Sequence, residues 1–263
     1  MMRDTQLILF EGIPGSGKTT MAKRLHAHLL DRGIDADVYL EGDSNHPVDL
    51  GWHAYFTKGE YRRLTAENPS RAEAIESHTI VHGDDYLVQY KDTEGNYFEG
   101  DLFALLQSRE LCIGTEPAVS FEKFAEIFAD RWRRFVEERD ARRVSIFEGA
   151  FFQHQLHDLM RLYRPERAES VGHLKTLLEQ FSALNPILFY LSQTDVRESL
   201  TRIAKQREKP HFASDAYIAF QQERKRIEYQ AMSQLPLRSY VFDNSDCDWD
   251  RVLRGVLGAL DFS

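Results

Sequence analysis

The stretch Gly12-Ile13-Pro14-Gly15-Ser16-Gly17-Lys18-Thr19-Thr20, entered from the apolar run Leu7–Phe10, decides the fold. It fits the phosphate-binding pattern G-x-x-x-x-G-K-[ST], in which a buried strand feeds a glycine-rich turn at the N-terminus of a helix. Backbone N–H groups of such a turn wrap a triphosphate, helped by the positive end of the helix. Gly12, Gly15, Ser16, Gly17, Lys18, Thr19 and Thr20 are the expected nucleotide-binding residues. Lys18 is expected to reach the outer phosphates and the Thr19 hydroxyl to ligate Mg²⁺. Met21, Leu25 and Leu29 then recur at helical spacing, and Gly33 stands where that helix would stop.

The other apolar runs are short. Val38–Leu40, Val144–Phe147, Ile187–Leu191 and Tyr240–Phe242 join Leu7–Phe10 as five expected strands of a parallel sheet, with helical patterns between them. Between the second and third runs lie about a hundred residues, far more than one crossover needs. An inserted region over residues 44–140 is therefore expected within a single domain spanning 1–263. It opens on an aromatic segment with Trp52, His53, Tyr55, Phe56 and Tyr61. The alternating stretch Asp85–Lys91, the turn-like Asp92–Asn96 and Tyr97-Phe98 read as a β-hairpin. Phe121, Phe124, Ala125, Phe128, Trp132, Phe135 and Val136 share one face of a helix capped by Ser120, a core stripe rather than a cofactor box.

Beyond the fourth strand, Asp195 with Glu198 reads as a capping pair. Val196, Leu200 and Ile203 form the apolar face of a helix that Lys209-Pro210 ends, and another helix follows over residues 214–233. Arg224-Lys225-Arg226 on the latter reads as a solvated basic face. Residues 195–235 thus form an expected lid and its following helix, and residues 250–260 a last amphipathic helix.

Composition narrows the class. The 263 residues carry a net charge of −9, against a general polyanion-binding surface and hence against a nucleic-acid partner. Met1–Gln6 show no charged-then-apolar leader and no run could span a bilayer, so a cytoplasmic protein without membrane contact is expected. Cys112 and Cys247 lack metal-ligand spacing and read as buried or inert thiols. None of the ten histidines forms a zinc pattern, and His154 and His157 read as ordinary polar residues.

Phosphoryl transfer also needs carboxylates and mobile cations. Glu148, following Val144–Phe147 at a strand end, is the candidate to hold Mg²⁺ or orient the acceptor. Glu41 and Asp43, at the end of the second strand, compete for the acceptor hydroxyl proton. Arg202 and Arg207, with Lys205, fall where a lid could close on phosphates. Arg202 and Arg207 can act together only if the helix ends or bends nearby. Trp52, Tyr55 and Phe56 read as core packing, with stacking on a planar acceptor the alternative.

With these residues the chain resembles the P-loop kinases of nucleosides and nucleotides, especially the thymidylate kinase and deoxynucleoside kinase group. Leu9-Phe10-Glu11-Gly12 into Gly15–Thr20, Glu41, Phe147-Glu148, and Pro186–Leu191 with Arg202 and Arg207 carry the resemblance. It implies the three-layer α/β fold of P-loop NTPases with sheet order 2-3-1-4-5, an ATP donor with Mg²⁺, and a closing lid. Two departures stand out. The third strand ends in Glu148-Gly149-Ala150, where the family carries an arginine, and the second in Glu41-Gly42, where nucleoside kinases have Glu-Pro. The expected function is an ATP-dependent phosphotransferase (kinase) acting on a small-molecule acceptor, a nucleoside or nucleotide among the options. A non-kinase P-loop ATPase or switch acting on a protein partner is the alternative, and a regulator without catalysis a third. A homodimer and the choice of adenine or guanine stay open.

Overall fold

The computed structural model describes residues 5–261. Residues 1–4, part of the stretch read as lacking a leader, lie outside the described residues, as do 262–263. In chain order the elements are β1 (Leu7–Glu11), α1 (Lys18–Asp31), β2 (Ala36–Tyr39), β3 (His53–Thr57), α2 (Lys58–Glu67), α3 (Ala72–Ser77), β4 (Thr79–His82) and β5 (Asp85–Gln89). There follow α4 (Gly100–Ser108), α5 (Phe121–Glu138), β6 (Val144–Glu148), α6 (Phe152–Asp158), α7 (Arg167–Phe181) and β7 (Ile187–Ser192). The chain closes with α8 (Val196–Gln206), α9 (Asp215–Gln234), β8 (Arg238–Asp243) and α10 (Trp249–Ala259).

Five strands pair in parallel in the order β2-β6-β1-β7-β8, which is 2-3-1-4-5 when only this sheet's strands are counted. The central strand β1 is buried on both faces. Leu7 and Leu9 point into a core shared with α5, α6, α7 and α9, while Ile8 and Phe10 point into one shared with α1 and α10. Covering both faces with helices is what lets a parallel sheet use continuous apolar strands. The three layers place the C-terminal strand ends along one edge, where such sheets present ligands.

Helix α5 supplies the largest buried aromatic. Phe124, Phe128, Trp132 and Phe135 are buried with Ile127, and Trp132 stacks on Phe181 of α7 with ring centroids 4.2 Å apart. Ser120 caps the helix by accepting from Lys123 N at 3.3 Å.

The insertion departs from the expected hairpin. It holds a three-stranded antiparallel sheet ordered β3-β5-β4. Asp85–Gln89 pairs with Thr79–His82 across a Gly83-Asp84 turn, and on its other edge with His53–Thr57. Tyr97-Phe98 is not a strand. Asp92 explains why: its carboxylate accepts Glu94 N, Gly95 N and the Tyr97 hydroxyl, closing a compact loop with only an isolated Lys91–Asn96 bridge. Phe56 is buried in the core of this small sheet, Tyr55 donates to Asp85 at 2.6 Å, and Trp52 alone of the three aromatics lines the cleft described below. Among the described residues no helix is long and apolar enough to cross a membrane.

Trp132→Ala is expected to lower unfolding stability by about 3–5 kcal/mol, through the lost burial and the cavity left against Phe181. Urea unfolding checks this, with a lowered midpoint at unchanged slope as the expected result.

Candidate active site

The turn after β1 is held by glycines in conformations that side chains disfavour. Gly12 has φ 144° and Gly17 φ 99°. A Cβ on Gly12 would lie 2.5 Å from the Leu191 carbonyl oxygen, and one on Gly17 2.2 Å from the Trp249 ring. The Lys18 ammonium folds back over the loop and donates to the Ile13 carbonyl at 3.4 Å. The Thr19 hydroxyl donates to Glu148 Oε1 at 2.7 Å. That contact follows from register, because Phe10 pairs with Glu148 across β1 and β6 and so sets the strand end beside the start of α1.

The loop is braced from behind by residues that its motif does not include. Asn244 Nδ2 donates to the Ser16 carbonyl at 2.8 Å, and Arg224 Nη2 to the Gly12 carbonyl at 3.1 Å. This corrects the reading of Arg224-Lys225-Arg226 as a solvated face. Arg224 is buried and pairs with buried Glu228 at 3.2 Å, Lys225 donates to the Gln193 carbonyl at 2.6 Å, and only Arg226 is exposed. The signal was present in the spacing: Tyr217, Gln221, Arg224 and Glu228 form one polar stripe along α9, and a buried arginine needs its partner one turn on.

A cleft of about 780 Å³ opens at these strand ends. Gly15, Gly17, Lys18, Thr19, Thr20, Glu41, Asp43, Glu148, Arg202 and Arg207 all line it, so nearly every expected site residue meets there. Gly12 and Ser16 sit behind the loop as buried supports. From α8, Ile203 presses on Gly15, and Arg202 donates to Gln193 Oε1 at 3.2 Å. The helix ends at Gln206, so exposed Arg207 leaves the helical path and faces the cleft with Arg202. Lys205 is exposed and is not among the lining residues.

The two competing carboxylates separate. Asp43 Oδ2 accepts its own turn's Leu40 N at 2.8 Å, whereas the Glu41 carboxylate is half open to solvent and lies 4.0 Å from His154 Nε2. Asp49, which the sequence reading passed over, accepts Gly42 N at 2.9 Å and Gly51 N at 2.8 Å and stands 3.5 Å from His154 Nδ1. His154 is therefore not an ordinary surface polar residue. Burial alone would lower its pKa, but Asp49 and Glu41 outweigh that and raise it. Desolvation likewise opposes ionisation of Asp49 and Glu41, and the facing His154 overrides it to hold both below the usual carboxylate range. His157 also lines the cleft, 3.2 Å from Asp158. Both cysteines are free and line the cleft; Cys112 is buried and Cys247 half-buried.

No protein-family model matches the chain. The chain is similar to a thymidylate kinase. It is 33% identical over 136 residues to that of Dinoroseobacter shibae, a match covering 46% of this chain and 65% of the relative's length. The resemblance to the thymidylate kinase group is borne out by this relative. Among solved structures, a YorR protein from Bacillus subtilis in complex with phosphorylated GDP is 12% identical, with TM-score 0.47, over 97% of this chain and 95% of its own. Deoxyadenosine kinase from M. mycoides is 10% identical, with TM-score 0.44, over 97% and 98%. Thymidylate kinase from Candida albicans is 13% identical, with TM-score 0.46, over 98% and 92%.

Glu11 ties the loop to the cleft wall and has a pH signature. Its buried carboxylate accepts Phe151 N at 2.8 Å, Phe152 N at 2.9 Å and Gln153 N at 3.0 Å. Burial, with a contribution from Glu228, pushes its pKa up to about 7 against those three bonds. A raised folded-state pKa means the native state holds the proton longer than the unfolded chain. This stability is present below the unfolded value near 4.5 and is lost as pH rises to about 7. The destabilisation caused by Glu11→Gln is therefore expected to be largest near pH 5 and to shrink by up to about 3 kcal/mol by pH 8. Urea midpoints of both proteins at the two pH values check it.

Proposed function

We propose that this chain is an ATP-dependent phosphotransferase, a kinase that moves the γ-phosphoryl group of ATP to a hydroxyl of a small-molecule acceptor. The observation that carries the reading is the convergence of Lys18, Thr19, Glu148, Glu41, Arg202 and Arg207 on one cleft. Positioning and charge neutralisation are most of what phosphoryl transfer asks of a protein. The cleft's size suits a small molecule better than a protein segment, which favours a kinase over a switch. The similarity to a thymidylate kinase supports the same class.

The roles divide by position. The loop amides and Lys18 hold the donor phosphates, and Arg202 and Arg207 neutralise charge on the transferred group from the lid side. Glu41, free of backbone partners, takes the acceptor's hydroxyl proton, while Asp43 shapes the turn that carries it. Thr19 and Glu148 offer a hydroxyl and a carboxylate 2.7 Å apart, hard oxygen donors that fit Mg²⁺. When bound there, the metal would supply positive charge to the donor phosphates. Residues 44–140 form the acceptor region and 195–235 the lid and its following helix. Both cysteines are free thiols, which suits the reducing cytoplasm in which we place this activity.

Lys18→Ala is expected to abolish acceptor-dependent ADP formation while urea unfolding stays cooperative; normal turnover in that variant would sink the assignment. Glu41→Gln should lower kcat by about 10²–10⁴, with Asp43→Asn costing less than a tenth of that loss. Glu148→Gln should raise the Mg²⁺ concentration needed for half-maximal rate. Steady-state assays over a panel of nucleosides, nucleotides, sugars and antibiotics, with detection of the phosphorylated product, supply the rates. ATP hydrolysis stimulated only by a protein would replace the kinase reading with the switch.

A further inference from the structure

The cleft is charged in two halves. Its lysines and arginines are Lys18, Arg202, Arg207, Lys209 and Arg224, which all come from the nucleotide loop, the lid and α9. The opposite wall is built by residues 40–52, Thr93, Cys112, Ile113, Phe128 and α6. Among the described residues it contributes Glu41, Asp43, Asp49 and Asp158 and no lysine or arginine. The turn leaving β6, Gly149-Ala150, adds no cation. The imidazoles do not reverse this balance, because His154 already lies between Asp49 and Glu41, and His157 beside Asp158.

A second observation points to the ligand's chemistry. The Gln153 amide is buried and directs its NH₂ toward Glu41, leaving Oε1 without a partner. Gln153 lines the cleft on the acidic wall. A buried carbonyl oxygen without a donor is costly, so a wall that sets one beside the carboxylates of Glu41 and Asp49 is short of donors. A phosphate group brings only acceptors and negative charge to such a wall.

We propose that the acceptor enters this cleft unphosphorylated, as a neutral or cationic small molecule whose O–H or N–H groups donate to Glu41, Asp49 and the amide oxygen of Gln153. The inference rests on the phosphotransferase reading and sets its substrate class. In the transfer, the bond between the γ-phosphorus of ATP and the bridging oxygen breaks, and ADP leaves with that electron pair. The acceptor oxygen bonds to the phosphorus and its proton passes to Glu41.

Matched pairs differing by one phosphate test it: thymidine and its monophosphate, adenosine and its monophosphate, glucosamine and its 6-phosphate. ADP release is followed with MgATP, and the phosphorylated product is identified. The expected result is turnover of an unphosphorylated member with kcat/KM at least about 100-fold above its phosphorylated partner. Gln153→Leu should then raise the acceptor's KM about tenfold, the loss of one buried hydrogen bond, and leave that of ATP unchanged. Equal or preferred turnover of a monophosphate overturns the inference and leaves the kinase reading standing. An unchanged acceptor KM in Gln153→Leu also overturns it. No acceptor-dependent ADP from any pair, with ATP still bound, removes the kinase reading and this inference with it.

Discussion

The carboxylate of Glu11 is the joint on which the site depends. It ends the central strand, one residue before the glycine turn, and accepts the first N–H groups of the segment that becomes α6. The positive end of that helix and three donors fix a buried acid where water cannot. One side chain thus links the nucleotide loop to Gln153 and His154 on the facing wall. Arg224 completes the joint from α9, holding the Gly12 carbonyl while pairing with Glu228, whose carboxylate accepts the Tyr190 hydroxyl of β7. Loop, sheet, wall and α9 therefore share one buried polar network. Such a network rigidifies when every member is satisfied and is costly when one is lost.

How far this was legible in the sequence differs by region, for physical reasons. The five parallel strands could be read because each carries a short apolar run; only the central three, β6, β1 and β7, are buried along nearly their whole length, and the order of the five came from the family resemblance. The insertion was legible in content and misread in pairing. Asp85–Gln89 was seen as a strand, but its partners were sought downstream through Asp92–Asn96 instead of upstream through Gly83-Asp84. Nothing local announced that Asp92 would spend its carboxylate on its own loop. In the site, Lys18, Thr19 and Glu148 were found through a motif and a strand end. Arg224, Asp49 and His154 were missed because their meaning lies in contacts between residues far apart in the chain.

The same distinction sorts Glu41 from Asp43. Both are acids at one strand end, separated by Gly42, and composition offers no reason to prefer either. The fold does, because a carboxylate two residues into a turn can reach back to Leu40 N, as Asp43 does at 2.8 Å, and one before the glycine cannot. Gly42 at φ 82° turns the chain so that Glu41 faces His154 while its own N–H is taken by Asp49. The free acid and the anchored acid are products of one turn.

Charge in the cleft follows from which elements build it. On the phosphotransferase reading proposed above, the loop, α8 with the turn after it and α9 attract phosphates, and among the described residues these segments supply all the lysines and arginines that line the cleft. The facing wall grows from turns after β2 and from α6, whose N-terminus is already satisfied by Glu11, so its positive end is not available to an anion. A phosphate placed there would meet Glu41 and Asp49, whose nearby cation His154 already lies between them, whereas donor groups would find lone pairs on both acids and on Gln153. On the proposed reading, the neutralising work of Arg202 and Arg207 falls on the transferring group alone, and that asymmetry would give the cleft a direction for transfer.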